Sequence, residues 1–450
     1  MIAEVQMLRI TRLAVIAAAF AGVAGCGMFD GLFSSDNDGP KLPGERLTIM
    51  EVESKLEVDD TLASEPIALP DAVMNTEWTQ PGGNSQNAMS HIQVSGFERA
   101  WSASAGSGSS KASALMASPL IADGRIYILD AQSNILALDE RTGKQLWKTD
   151  LVPDDEDSDE GFGGGVAYSN NRLFVVNGFG DAHGVDPATG NVVWTQKIGT
   201  PFRASPTADD GRVFAITADN QLLCFSATNG DILWRQRGMV ESAGILTATS
   251  PAVSGSIVIV PYSSGEIYAM RVENGTVVWS DQLTRTGKTT SLSEINDIAG
   301  RPVIDRDRVI AISHSGRMVA IDLRTGERVW TRNIAGVQTP WVAGETIFLV
   351  TTEQQVVAMS RADGRIYWIR QLQRFEDDDP KEDRVQWSGP VLVSNRLMLV
   401  SSLGEAVLLS PQVGTVVGQF DLPDETLMPP VAANGTLYVL TDDANLVALR

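Results

Sequence analysis

The chain has 450 residues, a formal net charge of −21 and 43% hydrophobic residues. That acidity argues against nucleic acid or anionic lipid as a partner, because both repel such a surface unless basic residues cluster, and no dense basic run or aromatic-plus-basic pattern occurs. Two cysteines, Cys26 and Cys224, make neither a disulfide framework nor a CxxC metal pair, and the three histidines (His91, His183, His314) lack HExxH-type spacing.

In chain order, residues 1–25 read as a cleaved leader. Arg9 and Arg12 supply its basic start and Leu13 to Ala24 its apolar run, too short to span a membrane comfortably. Glu4 sits oddly in such a region, which makes Met7 an alternative start. The run ends Val23-Ala24-Gly25-Cys26, small residues before a cysteine, which resembles a bacterial lipobox. That resemblance implies that Cys26 is the lipidated first residue of the mature chain. Gly27, rather than Asp, implies sorting to the outer membrane. Such an anchor holds a domain on the membrane surface without crossing it. Residues 26–92 are expected to be a tether, rich in Asp, Ser, Gly and Pro and without a repeat. Within it, Glu45 to Glu53 alternates weakly, and Glu77 to Asn84 is a turn-rich lead-in.

From residue 93 to 450 one unit is spelled repeatedly. Two apolar strand-like runs are followed by a Thr-Gly turn and a strand carrying Trp. The turn glycine recurs at Gly143, Gly190, Gly230, Gly275, Gly326, Gly364 and Gly414. Four residues later stand Trp147, Trp194, Trp234, Trp279, Trp330 and Trp368, with Gly418 in the seventh copy. Six residues before the turn stand Ala137, Gly184, Cys224, Ala269, Ala320 and Ala358, then Leu408. An eighth copy, 428–450, stops after Ala448 without turn or Trp. Gly96 to Ser104, with Trp101, reads as its missing strand. Sheet repeats at roughly 40–50 residues mark propeller blades, which bury their faces only against neighbours. The fold class expected is therefore all-β: an eight-bladed β-propeller with an N-terminal strand closing the last blade. The blade bodies lie near 118–151, 164–198, 204–238, 249–283, 300–334, 339–372, 388–422 and 428–450 plus 96–104. The small column is expected to let adjacent sheets approach, and the Trp column to pack between neighbouring blades.

Three loops stand out: the acidic 153–160 and 376–384, and the long 284–300. The acidic runs lack the Gly-punctuated spacing of a calcium loop and read as solvated. Gly161 to Gly165 lacks the Lys-Ser/Thr of a phosphate loop. Cys224 occupies the small column and reads as buried, and the histidines have no partner at a recognisable spacing. No catalytic residue and no metal site is assigned.

The blade pattern resembles the quinoprotein-like propeller repeat. Some members of that family are dehydrogenases holding pyrroloquinoline quinone and Ca²⁺, typically against a vicinal cysteine pair; this chain has no adjacent cysteines. Together with the lipobox, the repeat from about Trp78 to Arg450 more closely resembles the BamB family of outer-membrane lipoproteins. That resemblance implies a scaffold without catalysis or cofactor, lipid-anchored to the outer membrane and facing the periplasm. It implies binding to the POTRA domains of BamA, membership with other subunits of the β-barrel assembly (BAM) complex, and contact with unfolded barrel precursors. The family's Leu-Arg-Gly-Glu-Ser-Ala-Pro run matches Leu246 to Pro251, with Thr247 in place of Arg. Its Asp-Val-Asp run matches Asp297-Ile298-Ala299, followed by Arg301. The resemblance thus implies partner-binding by Ile245, Leu246, Thr247, Asp297, Ile298 and Arg301. Two other readings stay open: a periplasmic propeller for another envelope protein or polymer, and a quinone-dependent dehydrogenase.

Overall fold

A computed structural model describes residues 56–450 apart from 112, 162, 240–248, 285–295 and 379–380. The expectations for the leader peptide, for Cys26 and for residues 45–53 lie outside the described residues. The described chain belongs to a compact unit spanning Ser54–Arg450.

Eight four-stranded antiparallel sheets form in sequence order. Blade 1 shows the unit: Leu120–Ala122 innermost, then Arg125–Leu129, Asn134–Asp139 and, outermost, Gln145–Asp150. Blades 2 to 7 occupy 164–197, 207–237, 252–282, 303–332, 341–371 and 387–421. The three inner strands of a blade are buried almost throughout, whereas the outer one alternates exposed and half-buried. That is the pattern of a sheet covered on both faces by neighbours and bare along its outer edge. Blade 8 combines Val431–Ala433, Thr436–Leu440 and Asn445–Leu449 with Arg99–Ser104 from the front of the chain. Trp101 pairs with Ala448 there, so the ring closes as the repeat predicts.

The columns read from the sequence form one interlock. In blades 1 to 6 the small residue is the cross-strand partner of the Trp, as where Ala137 faces Trp147, Gly184 faces Trp194, Cys224 faces Trp234 and Ala358 faces Trp368. A Cβ on Gly184 would lie 2.3 Å from the Trp194 Nε1. The small column therefore makes room for the indole of its own blade, a closer role than spacing between sheets. Each indole then reaches the next blade. Trp147 lies against Gly190, Trp194 against Gly230 and Trp234 against Gly275, and Trp101 covers Gly143 across the closure. The indole N–H of Trp147 donates to the Pro187 carbonyl at 3.1 Å, and that of Trp234 to Val272 at 2.9 Å. The turn glycines sit at positive φ (71° at Gly143), where a Cβ is strained as well as crowded.

Gly418 now has a physical reason. A Trp at this position would have covered a turn between the two outer strands of blade 8, but Arg450 and Glu98 face each other there at the ends of two separately paired strands. The two ends are held by Arg450 N–H to Glu98 O at 2.8 Å and the reciprocal bond at 3.2 Å. Opposite Gly418 stands Leu408, which takes the space that the Trp column fills elsewhere.

The structure corrects the extent of the tether. Residues 56–92 are folded onto the ring. Asp59 N–H bonds to Ile366 O on blade 6, and Ile67 exchanges bonds of 3.0 and 2.8 Å with the Gln412 side chain on blade 7. The segment 75–95 then visits the blades in order at the ends of their inner strands. Asn75 O accepts from Asn434 N–H of blade 8 (2.7 Å), and Trp78 exchanges bonds with Ile121 of blade 1 (2.7 and 2.9 Å). Thr79 O accepts from Tyr168 of blade 2, Gln80 bonds Ala208 of blade 3, Ser85 O accepts from Val253 of blade 4 and Gln86 O from Ile304 of blade 5. Ser90 O takes the Trp341 indole N–H of blade 6, Ile92 bonds Leu392 and Ser394 of blade 7, and Ser95 returns to Gly435 of blade 8. This circuit covers one end of the central channel. The acidic stretch 376–384 is also more ordered than expected, with Phe375–Asp378 and Lys381–Arg384 pairing as a hairpin.

Candidate docking face at the channel mouth

The opposite end of the channel is framed by the loops that lead into the inner strands. A cavity of about 290 Å³ lies there, lined from blades 1, 5, 6, 7 and 8 by Leu115, Met116, Arg301, Gln338, Gln386 and Met428 among others. The described ends of two further loops, between blades 3 and 4 and between blades 4 and 5, lie on the same face at Thr249 and at Ala299 to Arg301. Ile245, Leu246 and Thr247 lie in the first, outside the described residues.

The bases of these two loops are tied together. The Thr249 hydroxyl donates to the Gly300 carbonyl at 3.4 Å. Asp297 forms a buried ion pair with Arg203 of the loop before blade 3, and its carbonyl accepts the His314 N–H at 2.9 Å. Ile298 is fully buried in the core with Ala252, Ile259 and Ile304. Asp297 and Ile298 are among the residues expected to bind a partner. Both are instead turned inward, where they hold the loop. Sequence reading treats a loop as surface, but around a ring the innermost loops pack on one another.

Arg301 is placed differently. It is 7% exposed and lines the cavity, and among the described residues its Nε has no hydrogen-bond partner. Burial lowers its pKa to about 10, so the guanidinium remains charged at neutral pH. Gly300 sets its position: a Cβ there would lie 2.5 Å from the Gln338 carbonyl, so the loops before blades 5 and 6 approach this closely only with glycine. The backbone N–H of Arg301 donates to the Thr339 hydroxyl at 3.2 Å. The sequence singled out Arg301 for its charge but gave no sign of the cavity.

The remaining candidates are structural. Cys224 is fully buried, and burial pushes its thiol up to about 12. His183 donates to or accepts from Thr195 Oγ1 at 3.0 Å, and burial holds it down at about 4. His91 bridges the Pro70 carbonyl (2.7 Å) and the Asn395 N–H (2.9 Å), which fixes Nδ1 as donor and Nε2 as acceptor. Among the described residues no three His, Cys, Asp or Glu side chains are placed to hold a metal ion. With no adjacent cysteines in the sequence either, the described residues offer no set that matches a quinone and calcium pair.

A family model described as "Outer membrane protein assembly factor BamB" matches residues 131–370. The chain belongs to the BamB family. A second model, the β-propeller domain of glucose, ethanol and alcohol dehydrogenases, matches residues 85–173. The BamB of Moranella endobia is 22% identical over 335 residues, covering 74% of this chain and 84% of that protein. The crystal structure of BamB from Moraxella catarrhalis superposes with a TM-score of 0.67 at 15% identity, over 79% of this chain and 99% of that one. The quinohemoprotein alcohol dehydrogenase of Comamonas testosteroni reaches a TM-score of 0.64 at 14% identity, over 85% of this chain and 78% of that one. At such identities the structural likenesses show the fold alone, and the membership rests on the match across the BamB repeats.

Proposed function

We propose that this chain is a non-enzymatic accessory subunit of the outer-membrane β-barrel assembly machinery. In this reading acylated Cys26 moors it to the outer membrane on the periplasmic side. The channel-mouth face docks POTRA domains of a BamA-type partner, alongside other subunits of the complex. Ile245 and Leu246 form the apolar centre of the contact, Thr247 and Arg301 contribute polar groups, and Asp297 and Ile298 position the loop. Apolar anchors within a polar rim are what gives such an interface its affinity. The reading is carried by the BamB family match over residues 131–370. It is supported by the circuit of residues 75–95 at the other end of the ring, so that among the described residues only the mouth face lacks such a segment.

The test is retention of the POTRA-bearing partner on the tagged chain from solubilised envelopes. Leu246→Asp should abolish retention, while Val193→Asp on the exposed outer strand of blade 2 should preserve it. Equal retention by both variants would remove this docking site.

A further inference from the structure

We infer that the channel mouth is a binding site for an apolar carboxylate, a ligand in which a carboxylate sits on a hydrophobic body. The inference stands whether or not the chain assembles barrels. A buried guanidinium is costly unless an anion or a set of acceptors satisfies it. Arg301 is buried and lines the cavity, and among the described residues it has no acidic partner and its Nε has no acceptor. The acid that shares the cavity, Asp442, accepts the hydroxyl of Ser109 from the same wall at 2.7 Å and forms no ion pair with Arg301 among the described residues. Other buried arginines of this ring are differently placed: Arg203 pairs with Asp297, and Arg361 pairs with Asp305 and Asp307.

The rest of the wall sets the ligand's body. Leu115, Met116, Val337, Leu427, Met428 and Pro429 give it an apolar lining. At about 290 Å³ the space exceeds the ~150 Å³ that accommodates benzene in an apolar protein cavity. A phenyl ring or a leucine side chain fits together with a carboxylate, which guanidinium binds through paired N–H donors. Gln338 and Gln386 supply neutral donors that suit the same group. An inorganic anion would satisfy Arg301 but leave the apolar wall in water. Two sources carry the chemistry, a free small acid and the C-terminal residue of a polypeptide.

The full chain is titrated calorimetrically with 3-phenylpropanoate, with its amide, and with a tripeptide ending in leucine as free acid or as amide. At least one acid should bind about ten-fold or more tightly than its amide, roughly the worth of one charge-assisted contact. The preference should vanish in Arg301→Leu and persist in part in Arg301→Lys. Preference for the tripeptide acid over 3-phenylpropanoate identifies a chain terminus as the source, and the reverse order a free acid. Arg301→Leu, which removes an unpaired buried charge, should melt no lower than the parent, so its loss of binding is not loss of fold. Equal binding of acid and amide, no binding of either acid at about 10 mM, or an acid preference retained in Arg301→Leu would each overturn the inference.

Discussion

Copying blade 7 into blade 1 tests the packing logic of the ring. The pair to change is Ala137 and Trp147, cross-strand partners in blade 1, toward the Leu408 and Gly418 of blade 7. Trp147→Gly alone removes an indole that lies 6.1 Å from the Tyr127 ring, covers Gly190 and donates to Pro187 O. Losing so large a packed side chain costs about 3–5 kcal/mol. Ala137→Leu alone forces a larger side chain into a site with no exposure, beneath an indole already in place. Overpacking of that kind costs about 1–3 kcal/mol. In the double variant the leucine occupies space the indole has left. Its cost should therefore fall below the sum of the singles by at least about 1 kcal/mol, within the range expected of residues in contact. It should not fall to zero, because Gly190 of blade 2 loses its cover, whereas blade 8 has no such turn to expose. Urea unfolding of the four proteins, followed by far-UV circular dichroism, gives the comparison. Additivity to within about 0.5 kcal/mol would refute the account of the small and Trp columns as one packing unit.

Two further outcomes follow from the same packing. His183 is held near a pKa of about 4 by burial, against about 6.5 in an unfolded chain. The unfolded state therefore takes the proton first, so the neutral-His contribution is complete above about pH 6.5 and is lost as pH falls toward 4, by up to about 3 kcal/mol. In His183→Leu the slope of stability between pH 7 and pH 5 should flatten relative to the parent, and an unchanged slope would show that His183 does not titrate on unfolding. Trp78→Ala tests whether the segment before the first blade is part of the fold. Trp78 is 3% exposed and bonded to blade 1, so its loss should lower stability by about 3–5 kcal/mol. A change within about 0.5 kcal/mol, as for an exposed residue, would mean that the circuit does not hold the ring.

What the sequence disclosed and what it hid divide along physical lines. The blades were legible because each repeats the same local chemistry: two apolar strands, a glycine with positive φ, a tryptophan. Even the closure was legible, since Trp101 without a turn and Ala448 without a tryptophan are halves of one pattern. Residues 75–95 were not, because Asn75, Gln80, Ser85 and Gln86 attach to successive blades through backbone and side-chain amide hydrogen bonds. Such attachments leave no apolar period. The inward turn of Asp297 and Ile298 was hidden for a related reason: the partners Arg203 and Ala252 come from other loops and strands that only the ring brings near. The hairpin at 375–384 carries charge on both strands where an apolar alternation would have announced it.

Site-specific photo-cross-linking in the intact envelope addresses the central claim, that the ring works through the axial face opposite the 75–95 circuit. A cross-linker at Met116 or Gln338, both lining the mouth, is compared with one at Val193 on an outer strand and one at Thr79 on the covered end. The account predicts adducts to the POTRA-bearing partner from the mouth positions alone. Adducts arising from Val193 or Thr79 while the mouth stays silent would contradict it.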